Sequence, residues 1–330
     1  MSSGVAKGWK RSHSRARRIR MPHDRDIKIV FAFLVICAFF LMCHEVAFSG
    51  MSGTETHQLY ADHMQHMHTP SQDDATVDFK TEPADITAGS PVSILLSLKD
   101  HEGRPMQGLT VHHDRLLHVV IVSEDFSIFA HLHPEDFGPV TPEMKKTARF
   151  PLRYTFPKAG SYLLGVDFAA GERSFSRHFS VSVSGEPKMA PLKKDISKEE
   201  RFDDLDVTFS TAPKHPAAGE EMTLGYLFKN EGRPVTDLEP YLSAPMHLAI
   251  ISTDLNYFLH THGELPGASA SGDHGHDMHM GHEMHMTVPE RFGPNIEVRT
   301  RFPAKGLYEV FGEVRHQGKV VVTKFLVEVE

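Results

Sequence analysis

At 330 residues, with 40% hydrophobic and 24% charged side chains, the chain has ordinary globular composition and room for two cores. Its charge is uneven: residues 1–28 carry nine Lys/Arg against Asp24 and Asp26, a net of +7, so the rest carries −8 − 7 = −15. An acidic body argues against nucleic acid as a partner and does not repel cations.

In chain order, the basic segment 1–28 is expected to stay in the cytoplasm. It leads into fifteen uninterrupted apolar residues, IVFAFLVICAFFLMC (29–43). Residues 29–48 are expected to form a hydrophobic helix that is either a signal peptide or a transmembrane anchor. Fifteen residues fall short of the ~20 of a comfortable span and sit at the upper limit of a signal-peptide apolar region. Ala47-Phe48-Ser49 offers a cleavage site, so both readings stay open. In either case the chain after about residue 50 is exported to the periplasm, held at the cytoplasmic membrane or released. Both cysteines, Cys37 and Cys43, lie inside this segment. The exported body then has no disulfide, no thiolate metal site and no cysteine nucleophile.

Residues 49–76 read as a polar linker containing His63, Met64, His66, Met67 and His68. Alternation then begins, with VSILLSL (92–98), LLHVVIV (116–122), SIFAHLH (127–133), RFPLRYTF (149–156), YLLGVDF (162–168) and FSRHFSVSV (175–183). Short strands split by EGRP, PEDFGP and PKAG turns, with no long 3.6-period segment, predict an antiparallel all-β fold. The spacing places a first β-sandwich repeat at 77–185, a charged linker at 186–204 and a second repeat at 205–330.

The two repeats share their text. LHVVIVSEDFSIFAHLHPEDFGP (117–139) answers MHLAIISTDLNYFLHTH (246–262), with PERFGP resuming at Pro289. His118, His131 and His133 each stand 129 positions before His247, His260 and His262. Upstream, LKDHEGRP (98–105) answers FKNEGRP (228–234); downstream, TFPKAGSY (155–162) answers RFPAKGLY (301–308). A period this long suits a duplicated domain of immunoglobulin-like size, about 100 residues.

A symmetric turn at Glu124-Asp125 sets His118 opposite His131, and one at Thr253-Asp254 sets His247 opposite His260. Opposed residues share a sheet face with Cβ atoms ~5 Å apart. His133 and His262, two residues along, share that face. Each triad can therefore converge on a metal at ~2 Å metal–nitrogen bonds. The alternative is a strand pair whose histidines only pack or hydrogen-bond; retention of all three in both copies favours the metal. Met246 lies on the opposite face from His247 and is not expected to ligate.

One segment breaks the symmetry. The second repeat inserts residues 263–288, which carry His274, His276, Met278, His279, Met280, His282, Met284, His285 and Met286 among Gly, Asp and Glu. With almost no core-forming residues, the insert is expected to be disordered without ligand. Mixed His and Met favour copper over zinc or nickel, because thioether suits Cu(I) and imidazole suits both copper states. The tract and the 63–68 segment are expected to act as auxiliary, low-affinity metal ligands. His112 and His113 match Tyr241 and Leu242, and His178 matches Lys324, while His101, His215 and His316 fall near turns. Packing or surface roles are expected for all six.

The strings HVVIVSEDFSIFAHLHPE and EGRPVTDLEPYLSAPMHLAIISTDLNYFLHTH resemble the exported β-sandwich domains associated with bacterial copper-tolerance and heavy-metal efflux systems. That resemblance implies metal handling in the periplasm, with the six histidines at the matching positions and a metal efflux or uptake system in the membrane as a partner. The expectation is thus a metal-binding chaperone, buffer or tolerance factor, ahead of an enzyme. Two alternatives stay open: a metal-dependent redox enzyme with a three-histidine site, and an interaction or scaffold module that binds no metal.

Overall fold

Period-two alternation produces the expected strands. The computed structural model describes residues 75–267 and 288–330. The basic start, the apolar segment 29–48, the histidines and methionines at 63–68 and those at 274–286 lie outside the described residues. Among the described residues no helix is long and apolar enough to cross a membrane.

The first repeat comprises β1 (Ala75–Glu82), β2 (Ile86–Thr87), β3 (Pro91–Asp100), β4 (Leu109–Thr110), β5 (Leu117–Ser123), β6 (Phe129–Leu132), β7 (Arg149–Thr155), β8 (Gly160–Ala170) and β9 (Arg173–Ser184). A single helical turn and a half, α1 (Pro142–Thr147), precedes β7. Sheet β1-β3-β7 faces sheet β2-β9-β8-β5-β6, with β4 also on β8. Leu96, Leu98, Val119, Ile121, Phe150 and Leu164 are among the residues filling the space between them.

The second repeat runs through β10 (Glu199–Phe202), β11 (Leu205–Ala212), β12 (Glu221–Asn230), β13 (Arg233–Pro234), β14 (Leu238–Glu239), β15 (His247–Ser252), β16 (Phe258–His262), β17 (Asn295–Arg301), β18 (Gly306–His316) and β19 (Lys319–Val329). β11, β12 and β17 form one sheet with β10 and β13; β19-β18-β15-β16 form the other with β14. The described residues thus form two β-sandwiches in tandem, antiparallel apart from the short parallel pair β2-β9.

Three boundaries differ from the sequence expectation, the first by two residues, since β1 opens at Ala75 inside the expected linker 49–76. The charged connector was expected to run to residue 204, but Glu199–Phe202 pairs with β11 and forms an edge strand of the second sandwich. Likewise the insert does not leave the fold at residue 263. Gly263 N donates to Met246 O at 2.8 Å, and Glu264 bridges to Glu297. Leu265 and Val288 pack on the second core, so apolar contacts hold the insert's two ends.

β5 and β15 are buried along their whole length, which requires cover on both faces. One face of β5 (Val119, Ile121) enters the first core. The other (Val120, Val122) meets Ala249, Ile251 and Phe311 of the second repeat, with Phe126 and Leu163, in a third cluster. The repeats therefore pack hairpin face to hairpin face. Phe129 of β6 stacks on Phe311 of β18 at 4.6 Å and 15°. By repeat symmetry Phe258 takes the place of Phe129, and Gly165 that of Phe311. The Phe258 ring lies 2.5 Å from where a Cβ on Gly165 would stand, so this close approach needs the glycine. His118, in step with Val120 and Val122, and His247, in step with Ala249 and Ile251, are carried by that pleat into the same inter-repeat layer.

Candidate metal centre

The hairpins that position the histidines are built on a different turn from the one the sequence suggests. Ser123 N donates to Ile128 O and Ser252 N to Tyr257 O, both at 3.1 Å, closing four-residue loops. Asp125 holds its loop by accepting from Ser123 Oγ at 2.6 Å and Ser127 Oγ at 2.7 Å. Asp254 does the same for Ser252 Oγ at 2.6 Å and Asn256 Nδ2 at 2.7 Å. Phe126 and Leu255 turn the chain with φ of 52° and 62°. Consequently His131 pairs with Val120, not His118; His260 pairs with Ala249, not His247; and His247 pairs with His262. The register is displaced by two residues. A displacement of two keeps every side chain on its face, whereas a displacement of one would have reversed it.

All six histidines consequently meet in one place, between the repeats. Ring centroids of His118 lie 5.2 Å from His131, 5.1 Å from His133, 5.6 Å from His247, 4.8 Å from His260 and 6.5 Å from His262. His118, His133 and His247 are at most 2% exposed, and the side chains of His131 and His260 are 1% exposed.

Five of the six rings are held by one nitrogen and offer the other. His118 Nε2 donates to His112 O at 3.1 Å, and His247 Nε2 to Leu242 O at 3.3 Å. His131 Nδ1 donates to Glu313 Oε2 at 2.5 Å, across the interface. His260 Nδ1 donates to Asp167 Oδ2 at 3.2 Å, across the interface in the other direction. Asp167 and Glu313 pair with His118 and His247 respectively, so they occupy the same place in the two repeats. His133 Nδ1 donates to Asp136 Oδ2 at 3.2 Å.

The inward nitrogens are left over. His133 Nε2, His247 Nδ1, His260 Nε2 and His262 Nε2 are buried without a hydrogen-bond partner. His118 Nδ1 and His131 Nε2 stand 3.1 Å apart. With the outward nitrogens donating, those two face each other lone pair to lone pair, which is unfavourable unless a cation joins them. The separation is close to the roughly 3.3 Å edge of a tetrahedron with ~2.0 Å bonds. Buried polar atoms without partners cost on the order of 1–3 kcal/mol each, and an ion accepting their lone pairs would remove that cost.

Burial, then the neighbouring imidazoles, pushes the pKa of His133 down to about 2 and holds those of His118, His247 and His262 well below the ordinary histidine value. The same two causes act on His260. Neutral imidazole is the ligand form. Burial raises Asp167 to about 7, opposed by His112 and His131.

The structure adds residues that the sequence reading set aside. His113 was expected to pack or lie at the surface, but one of its ring nitrogens lies within 4.8 Å of ligand atoms of His247 and His262. Its ring is 3.6 Å from that of His262. His112 supplies the carbonyl that holds His118. His113 has no histidine counterpart, since Leu242 stands at the matching position of the second repeat. Asp167 and Glu313 left a trace: each is the acidic residue five places after Tyr162 or Tyr308 in the matching strings YLLGVDF and YEVFGEV. Met246 is fully buried in the second core, its side chain against Gly312. His101 and His215 lie exposed beside Glu102 and Glu330, and His316 is buried between Asp204 and Asp237.

A family model described as a domain of unknown function (DUF8832) matches the chain twice, over residues 61–185 and 200–330, and the chain belongs to that family. No curated protein sequence matches it. Among solved structures it is similar to the Escherichia coli adhesin FdeC, at 12% identity and a TM-score of 0.22, covering 79% of this chain and 66% of the adhesin. Similarity to invasin, a bacterial integrin-binding protein, is 10% with a TM-score of 0.20, over 76% of this chain and 39% of invasin. Domains 4 and 5 of the S-layer protein SbsC give 11% and 0.20, over 79% and 98%. The chain spans under two thirds of the first two proteins.

Proposed function

We propose that this member of the DUF8832 family binds transition-metal ions between its two repeats, copper ahead of zinc or nickel, and works outside the cytoplasm as a metal chaperone, buffer or tolerance factor. The observation that carries the reading is the set of inward ring nitrogens: six buried nitrogens from six histidines, four without a hydrogen-bond partner and two opposed at 3.1 Å. Five of the six rings are fixed through the other nitrogen by a carbonyl or carboxylate, the arrangement that sets tautomer and aim in metal sites. Packing alone would not leave these atoms unsatisfied.

Burial favours binding over turnover, since a catalytic metal keeps an open position for substrate. The His/Met tract that follows His262 supports copper, and the +7 start followed by fifteen apolar residues supports export. A membrane efflux or uptake system fits as the source or destination of the ion.

Elemental analysis of the full chain, purified from periplasm and washed with a chelator, tests the proposal. Copper should remain on the wild type and fall below a tenth of that level in a His118→Ala, His247→Ala variant of unchanged circular dichroism. A wild type that retains no metal, or a variant that retains all of it, contradicts the reading.

A further inference from the structure

The grouping of the nitrogens carries the metal reading further, and rests on it. Three sets of histidines each bring one ligand atom per residue within 4.8 Å of one another: His118, His131 and His133; His113, His247 and His262; and His118, His247 and His260. The first two sets share no residue, so both can be filled at once. The third takes one residue from each and competes with both. We propose that seven histidines form a two-ion centre. One ion sits on His118, His131 and His133 of the first repeat; the second sits across the interface on His113, His247 and His262. His260 stands between the ions as the ligand that either can take.

The position of His260 supports that role. Its centroid is 4.8 Å from His118 and 5.4 Å from His131 on one side, and 5.7 Å from His247 and 4.9 Å from His262 on the other. Its inward Nε2 has no hydrogen-bond partner. A ligand in reach of both ions gives a route for exchanging them without either leaving the buried layer.

His113 makes the second position possible. It occupies a tight turn, His112 to Arg115, where His113 and Asp114 have φ of 47° and 62°. The matching turn, Tyr241 to Ala244, has Leu242 and Ser243 at 48° and 59°. Both repeats thus adopt a backbone that ordinary side chains rarely take, but only the first places an imidazole at its tip. Two cations so near one another need compensating charge, and Asp136, Asp167 and Glu313 supply it through the rings they hold.

Native mass spectrometry of the full chain titrated with Zn(II), with a competing chelator to strip weak ions, tests the inference. The wild type should retain two ions. His113→Leu, which installs the second repeat's residue, should retain one, as should His133→Ala. His113→Asn tolerates the left-handed turn and should also retain one, so a folding defect in the leucine variant would not obscure the result. If either folded His113 variant keeps two ions at wild-type affinity, or the wild type binds only one, the two-ion centre is wrong while the metal reading stands. If the wild type retains none, both fall.

Discussion

An inward ring nitrogen is only as well aimed as the hydrogen bond on the other side of its ring. Glu313→Ala and Asp167→Ala should each weaken metal affinity about 10- to 100-fold, the usual cost of losing an outer-shell partner. Glu313→Gln and Asp167→Asn, which keep an acceptor oxygen, should recover part of it; equal loss in both pairs would mean charge, not aim, is what matters. The depressed histidines also predict an acid-sensitive apoprotein. His118, His133, His247, His260 and His262 resist protonation in the fold, whereas the unfolded chain takes protons near pH 6.5. Their contribution is therefore fully present above about pH 6.5 and lost as pH falls toward the depressed values. Asp167 and Glu309, both raised to about 7 by burial, act the other way, two groups against five. Denaturant titrations of the metal-free chain at pH 7.5 and 5 should give a lower stability at pH 5; equal values contradict the shifts. At this scale the six repeated histidines were legible because the chain states them twice. His113 was not, because Leu242 stands at its place in the second repeat, and the two carboxylates left only a matching position, since their partners lie in the other repeat.

The hairpins show how an element can be misread without moving its site. Counting from a two-residue turn put the cross-strand pairs two places off, because Ser123, Asp125 and Ser127 build a four-residue loop whose side-chain hydrogen bonds do not appear in a hydrophobic pattern. Parity survived, and with it the shared face. LLHVVIV reads as an alternating strand, yet β5 and β15 are buried without interruption along VVIV and LAII, and what covers the second face was not legible. Close approach there depends on Gly165. Gly165→Val should displace Phe258, cost about 1–3 kcal/mol of stability and lower metal affinity by shifting β16 with its two histidines. Thermal unfolding and metal titration on the same variant check this; a stable variant with wild-type affinity would show that the contact does not position the hairpin.

For the whole molecule, the two sandwiches meet in one layer that carries both the inward imidazoles and the apolar cluster of Val120, Val122, Ile251 and Phe311. Ile251→Asp, which puts a charge opposite Val120, Val122 and Phe311, should loosen the interface while both sandwich cores survive. Circular dichroism should be kept and the ion held across the interface by His113, His247 and His262 lost; retention of both ions at wild-type affinity would mean the interface does not build the second position. The tract at 268–287 lies outside the described fold, and deleting it should lower copper capacity by more than one ion yet leave the tight sites. Duplication and the all-β class were plain in the sequence; the face-to-face packing was not, since nothing in one repeat names its partner surface. The central claim, that the imidazoles clustered between the repeats hold the ion, is tested most directly by X-ray absorption on the full chain carrying one equivalent of Cu(I). A nitrogen-only first shell with imidazole scattering is expected, unchanged on removing 268–287 and lost in the His118→Ala, His247→Ala variant. A shell containing sulfur that disappears with residues 268–287 would place the ion on the methionine-bearing tract and contradict the account.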